Sequence, residues 1–167
     1  MNYDKILFLD CEWLLNGKLL FVGCYSLADH WKKFLPEEVS KLKSYLKKFS
    51  LIVVYGNDAG VIEKNMGINL KRDFHCLNYI RIVNKFTKFK KKRIYDLENA
   101  LKIKRNVKLY KHSIQRLFHD WKRPERRKII YEYNMEDCKN LYHIFEIIQR
   151  QICLSYDDYL SFCMVPK

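Results

Sequence analysis

Three acids offer the chemistry most directly. Asp137 interrupts the apolar stripe Ile130, Tyr133, Leu141, Ile144 and Ile148 near the C-terminus. Steps of three and four residues place all six on one helical face, the face that packs inward. A carboxylate on that face must find a partner or bear a large desolvation cost. Near the N-terminus, Asp10 and Glu12 end the run from Lys5 to Trp13, where strand alternation sends both to the same side as Ile6 and Phe8. If that strand packs beside that helix, the acids form a cluster that repels itself unless a divalent cation neutralises it.

The elements that would position these acids follow from local pattern. Lys5 to Trp13 reads as a buried strand, Asn16-Gly17 as a tight hairpin turn, Lys18 to Ser26 as the partner strand, and His30 to Phe34 as a third. Pro36-Glu37-Glu38 opens a helix with Val39, Leu42, Leu46 and Phe49 inward. Leu51 to Tyr55 is a short, continuously apolar run suited to a central strand buried on both faces. A helix then runs to about Met66, and a last strand is expected within Ile68 to Cys76. A basic connector follows, then helices near Tyr95 to Leu101 and Ser113 to Trp121, and a long one starting at Pro124. This order predicts an α/β layered domain, a mixed sheet of three antiparallel strands continued by parallel ones and flanked by helices. Asp10, Glu12 and Asp58 all fall at strand ends, where sites collect in such sheets.

The chain has 167 residues, about half of them apolar, and suits a single domain with a sizeable core. Residues 151–167 read as a C-terminal extension. No stretch approaches the length of a membrane span and no leader pattern precedes the first strand, so a soluble, cytoplasmic protein is expected. The six cysteines include no C-x-x-C pair and are expected to be reduced. The formal charge is +13. It concentrates in Lys85 to Arg93, which includes Lys90, Lys91, Lys92 and Arg93, and in Lys122 to Lys128, which includes Lys122, Arg123, Arg126 and Arg127. Such runs suit a polyanion, and the interleaved Phe86, Phe89 and Trp121 could stack on bases or could simply anchor a core.

Together these motifs resemble the DEDD ribonuclease H-like 3′–5′ exonuclease superfamily, in particular its DEDDy group and YprB-like branch. The Asp-x-Glu motif at the end of the first strand matches Asp10-Cys11-Glu12. The Tyr-x-x-x-Asp motif of a late helix matches Tyr133 to Asp137, and Ile94 to Ile103 looks like the helix that precedes it. The second motif is compressed here to Tyr55-Gly56-Asn57-Asp58. Asp58 takes its place, with Asp73 and Asp96 as the substitutes. The histidine variant would require His at position 132, which is Glu132, so Tyr133 marks the tyrosine variant.

The resemblance implies hydrolysis of phosphodiester bonds in single-stranded DNA or RNA with two Mg²⁺ or Mn²⁺ ions about 4 Å apart. By the same resemblance Asp10 bridges the ions, Glu12 and Asp137 complete the nucleophile-side ion, and Asp58 serves the second through water. Tyr133 would orient or help deprotonate the attacking water. Cys11, on the opposite face of its strand, is expected only to pack. Two other readings remain open: an endonuclease on the same fold, and a nucleic-acid-binding module without turnover. A protein-interaction domain is the third and weakest.

Overall fold

A computed structural model describes residues 2–90, 92–107 and 114–163. After a 3-10 turn at Tyr3–Lys5, strands β1 (Ile6–Trp13), β2 (Leu19–Ser26) and β3 (His30–Phe34) form an antiparallel meander. Gly17, with φ of 79°, closes the first hairpin at the expected Asn-Gly, a backbone region that glycine enters without a Cβ clash. Helix α1 (Val39–Leu46) leads to β4 (Leu51–Val54), and α2 (Asp58–Met66) and the one-turn α3 (Leu70–Asp73) lead to β5 (Cys76–Asn78). Strand order is β3-β2-β1-β4-β5, with β4 parallel to both β1 and β5. The sheet is the expected mixed one of three antiparallel strands and two parallel additions.

The remaining helices are α4 (Ile80–Phe86), α5 (Ile94–Ala100), α6 (Ile114–Trp121), α7 (Arg127–Ile152) and α8 (Tyr156–Phe162). Three details differ from the sequence reading. The last strand lies beyond Ile68–His75, because Asn69 caps a turn of helix there by accepting from the Arg72 amide. Part of the basic connector is helical, since Ile82 and Val83 of α4 are fully buried. The C-terminal extension contributes to the core, with the Tyr159 ring packed 5.1 Å from that of Phe145.

Two apolar layers sandwich the sheet. On one side, Leu7, Leu9 and Cys11 of β1 meet Leu42 and Leu46 of α1 and Ala59 and Ile62 of α2. On the other, Ile6 and Phe8 meet Leu141, Ile144, Phe145 and Ile148 of α7. Alternation in β1 and the three-four spacing in α7 produce this contact, and burial of each such side chain contributes roughly 2 kcal/mol. Asp137 stays on the same stripe, and the packing that buries Leu141 and Ile144 carries it to β1. All six cysteines are free. No helix among the described residues is long and apolar enough to cross a membrane.

Candidate metal centre

β1 and β4 are paired only from Ile6 to Leu9, because β4 ends at Val54. Beyond that point the chain turns at Gly56, whose φ is 86° and whose backbone is gripped on both sides by the Asn78 amide of β5. The turn delivers Asp58 to the start of α2, alongside the free edge of β1. Asp58 Oδ1 there accepts a hydrogen bond from the Cys11 thiol at 3.3 Å. Cys11 thus does more than pack, since it holds Asp58 from the opposite face of the strand. The other oxygen of Asp58 is buried without a hydrogen-bond donor among the described residues.

Asp10 and Glu12, on the α7 side of β1, converge with Asp137 so that one ligand oxygen of each lies within 4.8 Å of the others. Glu12, Asp58 and Asp137 are buried and Asp10 is half-buried. Loss of hydration, then the charges of Asp58, Asp137 and Glu12, push the Asp10 carboxyl well above its ordinary range. Burial, with Asp137 next, raises Glu12 to about 8. Burial raises Asp58 to about 7, against the pull of the Cys11 hydrogen bond. These hard oxygen donors share their charge in too little water, an arrangement that a divalent cation relieves. Asp10, Glu12 and Asp137 fit a metal on that ground, and Asp58 adds its charge to that of Asp10.

Two contributors were not recognisable in the sequence. Asn134, fully buried one turn before Asp137, donates from Nδ2 to Asp10 Oδ2 at 2.8 Å and to Glu12 Oε1 at 3.5 Å, and its Oδ1 accepts from Trp31 Nε1 at 3.3 Å. It reaches the acids because Gly23 lies opposite Asp10 in β2, where a Cβ would fall 1.7 Å from Asn134 Oδ1. Gly23→Ala is therefore expected to expel the Asn134 side chain and weaken Mn²⁺ binding by roughly 10- to 100-fold, the usual cost of losing an outer-shell partner. Calorimetric titration of both proteins measures this, and unchanged affinity would show that Asn134 does not set the carboxylate geometry.

Arg105 is the second. It follows α5, where Lys102 takes a left-handed φ of 58° and turns the chain back toward α7. Its Nε and Nη2 donate to the two oxygens of Glu98 at 2.9 and 2.6 Å, and Nη2 also donates to Asp137 Oδ1. Burial still outweighs this pairing and leaves Asp137 raised to about 6, with a hydrogen bond from Tyr133 also working to lower it. The Tyr133 ring lies against the guanidinium, 5.1 Å from its centre, and burial with the neighbouring carboxylates pushes the phenol far above its ordinary range. Arg105 carries no local signal, since among Lys102, Lys104 and its own neighbours it reads as one more surface base.

A cavity of about 170 Å³ opens onto this centre, lined by Asp10, Asp137, Tyr133, Arg105, Arg93, Ile94 and Tyr95. Of the basic residues named from sequence, Arg93 alone reaches it among the described residues. Lys90, Lys92, Lys122 and Arg123 are exposed elsewhere, and Lys91 lies outside the described residues. Arg126 pairs with Asp120 at 3.4 Å, and Arg127 donates to the Trp121 carbonyl while stacking on its ring, so both are engaged within the protein. The interleaved aromatics serve packing: Trp121 stacks on Phe21, Phe86 meets Phe162, and Phe89 joins the core. Asp73 is ion-paired with Arg72 on the surface and Asp96 closes the N-terminus of α5, so of these three candidates Asp58 is the one whose charge acts on Asp10.

No curated protein and no solved structure matches the chain. A family model, that of the RNase_H superfamily, matches residues 7–149, a span that begins in β1 and ends in α7 and so takes in every acid of the centre. With this sheet order and the carboxylates gathered where β1 meets α7, the chain belongs to the ribonuclease H superfamily.

Proposed function

We propose that the protein is a metal-dependent nuclease that removes nucleotides from the 3′ end of single-stranded DNA or RNA. The observation that carries this reading is the convergence of Asp10, Glu12 and Asp137 within 4.8 Å in a chain of this superfamily and of net charge +13. Asp10, Glu12 and Asp137 would surround one Mg²⁺ or Mn²⁺, and Asp58 is the acid available to a further ion. A divalent ion in such a site supplies a water of lowered pKa and stabilises charge on the phosphate oxygens.

The protein's own groups supply the rest. Asn134 fixes Asp10 and Glu12 in one orientation. Tyr133, whose hydroxyl donates to Asp137, would hold that carboxylate in place and receive the attacking water on its oxygen, and would not be the base. Arg93 at the cavity and the exposed Lys90, Lys92, Lys122 and Arg123 offer phosphate contacts that position the strand without reading its sequence. The exonuclease direction rests on the Tyr133-to-Asp137 motif and its resemblance to the DEDDy group.

With a 5′-labelled oligonucleotide and Mn²⁺ or Mg²⁺, the expected product is a ladder shortening from the 3′ end. Internal cuts would assign an endonuclease instead. One observation favours a second reading: Asp137 already holds a positive partner in Arg105. A nucleic-acid-binding domain without turnover would bind the oligonucleotide in a salt-sensitive manner and leave it intact with either metal.

A further inference from the structure

Strand β1 presents Asp10 and Glu12 to α7 and the residue between them to the other face of the sheet. There the Cys11 thiol, 5 % exposed, meets Asp58 Oδ1 at 3.3 Å. Facing a carboxylate, the thiol is the donor of the pair. Among the described residues no other side chain donates to Asp58, and Oδ2 of the same carboxylate, in a residue only 7 % exposed, has no donor at all. Asp58 lies outside the set of three acids within reach of one ion, yet its charge acts on both Asp10 and Glu12. A buried oxygen left without a donor beside other acids calls for a cation.

The fold places the Asp58 backbone without help from this bond. Ala59 and Ile62 of α2 pack on Leu7 and Leu9 of β1, and at the far end of the helix Asn65 donates to the Gly17 carbonyl at 3.0 Å and accepts from the Leu19 amide at 3.1 Å. The position and rotation of α2 are thereby fixed. The two side-chain torsions of Asp58 are not, and a carboxylate at the start of a helix has several rotamers open to it. Cys11 selects among them, because only some bring Oδ1 to the thiol.

We propose that Cys11 is the positioning residue for the second metal ion: by holding Oδ1 of Asp58 it fixes that carboxylate in an orientation that leaves Oδ2 for a cation beside Asp10. This rests on the metal-dependent reading above and adds to it a residue of the opposite sheet face, so that Asp10, Cys11 and Glu12 in succession supply two ligands and the holder of another. The metal-free protein titrated with Mn²⁺, followed by calorimetry and by electron paramagnetic resonance, should bind two ions per chain and give the signal of a spin-coupled pair. Cys11→Val keeps the volume and removes the donor. It should bind the first ion as tightly as the unaltered protein and the second roughly 10- to 100-fold more weakly, the usual cost of losing an outer-shell partner. The coupled signal should fade with the second ion.

Equal weakening of both ions, or a second ion held as tightly as before, would overturn the proposal. So would the same loss in Cys24→Ala, which deletes a thiol of the same apolar layer that bonds none of the four acids among the described residues. Should the valine variant not melt cooperatively, Cys11→Ala carries the same expectation. One ion on the unaltered protein would overturn the proposal and leave the metal-dependent reading standing, and no bound ion would overturn both.

Discussion

Asp10→Asn is expected to lower cleavage at least ~10³-fold, a loss of about 4 kcal/mol of transition-state stabilisation, while making the metal-free protein more resistant to heat. The two effects have one cause. Asp10 is pressed by loss of hydration and by the charges of Asp58, Asp137 and Glu12, so its carboxylate is costly to maintain when no cation is bound. Asparagine keeps the size and can present its oxygen to Asn134 Nδ2, yet it offers a metal a much poorer ligand. At pH 8, with chelator present, the variant should melt several degrees higher, since each kcal/mol is worth roughly 2–4 °C in a chain of this size. A lower melting temperature would show that Asp10 is stabilised in place by the protein itself. Retained cleavage would remove the carboxylate cluster from the reaction.

The second large effect is on stability against pH. The carboxyls of Asp137, Asp58 and Glu12 are raised to about 6, 7 and 8 in the folded chain, whereas in an unfolded chain they titrate near 4. Below pH ~4 both states hold the protons and the groups contribute nothing to the slope. Above it the unfolded state releases them first, the folded state binds more protons, and stability falls as pH rises until about pH 8. The metal-free protein should therefore lose melting temperature steadily between pH 5 and pH 8, against the usual trend for carboxylates held in ion pairs.

Mn²⁺ should reverse the sign, because on the proposed reading it would bind the ionised acids of the folded chain. At a concentration 100 times its dissociation constant it adds about 2.7 kcal/mol, on the order of 5–10 °C. Thermal melts across this range, with chelator and with Mn²⁺, should diverge progressively toward alkaline pH. Parallel curves would mean that the acids are already neutralised inside the protein, and Arg105 would be the group to hold responsible.

Much of the fold was legible along the chain. Alternation from Ile6 to Trp13, the Asn16-Gly17 turn and the apolar run at Leu51 mark strands that the structure contains, and the spacing of Ile130, Leu141, Ile144 and Ile148 marks the face of α7 that is buried. The same periodicities pick out Asp10, Glu12 and Asp137, since an acid on a buried stripe violates the pattern and violations are visible in one dimension. The last strand was misplaced, because Asn69 makes a local cap that competes with extended backbone.

What the chain alone could not disclose are residues that break no pattern. Asn134 matters because Gly23, more than a hundred positions away, has no side chain. Arg105 lies among bases and becomes a buried partner of Asp137 only when α5 is set against α7. Arg126 and Arg127 read as bases of a surface run, and only the structure shows that they also join Asp120 and Trp121. Periodicity and residue type therefore determined most of the elements and drew Asp10, Glu12 and Asp137 inward. Tertiary packing decided which bases and amides meet those acids, because burial makes a polar group find a partner in space, and the distance along the chain has no part in that choice.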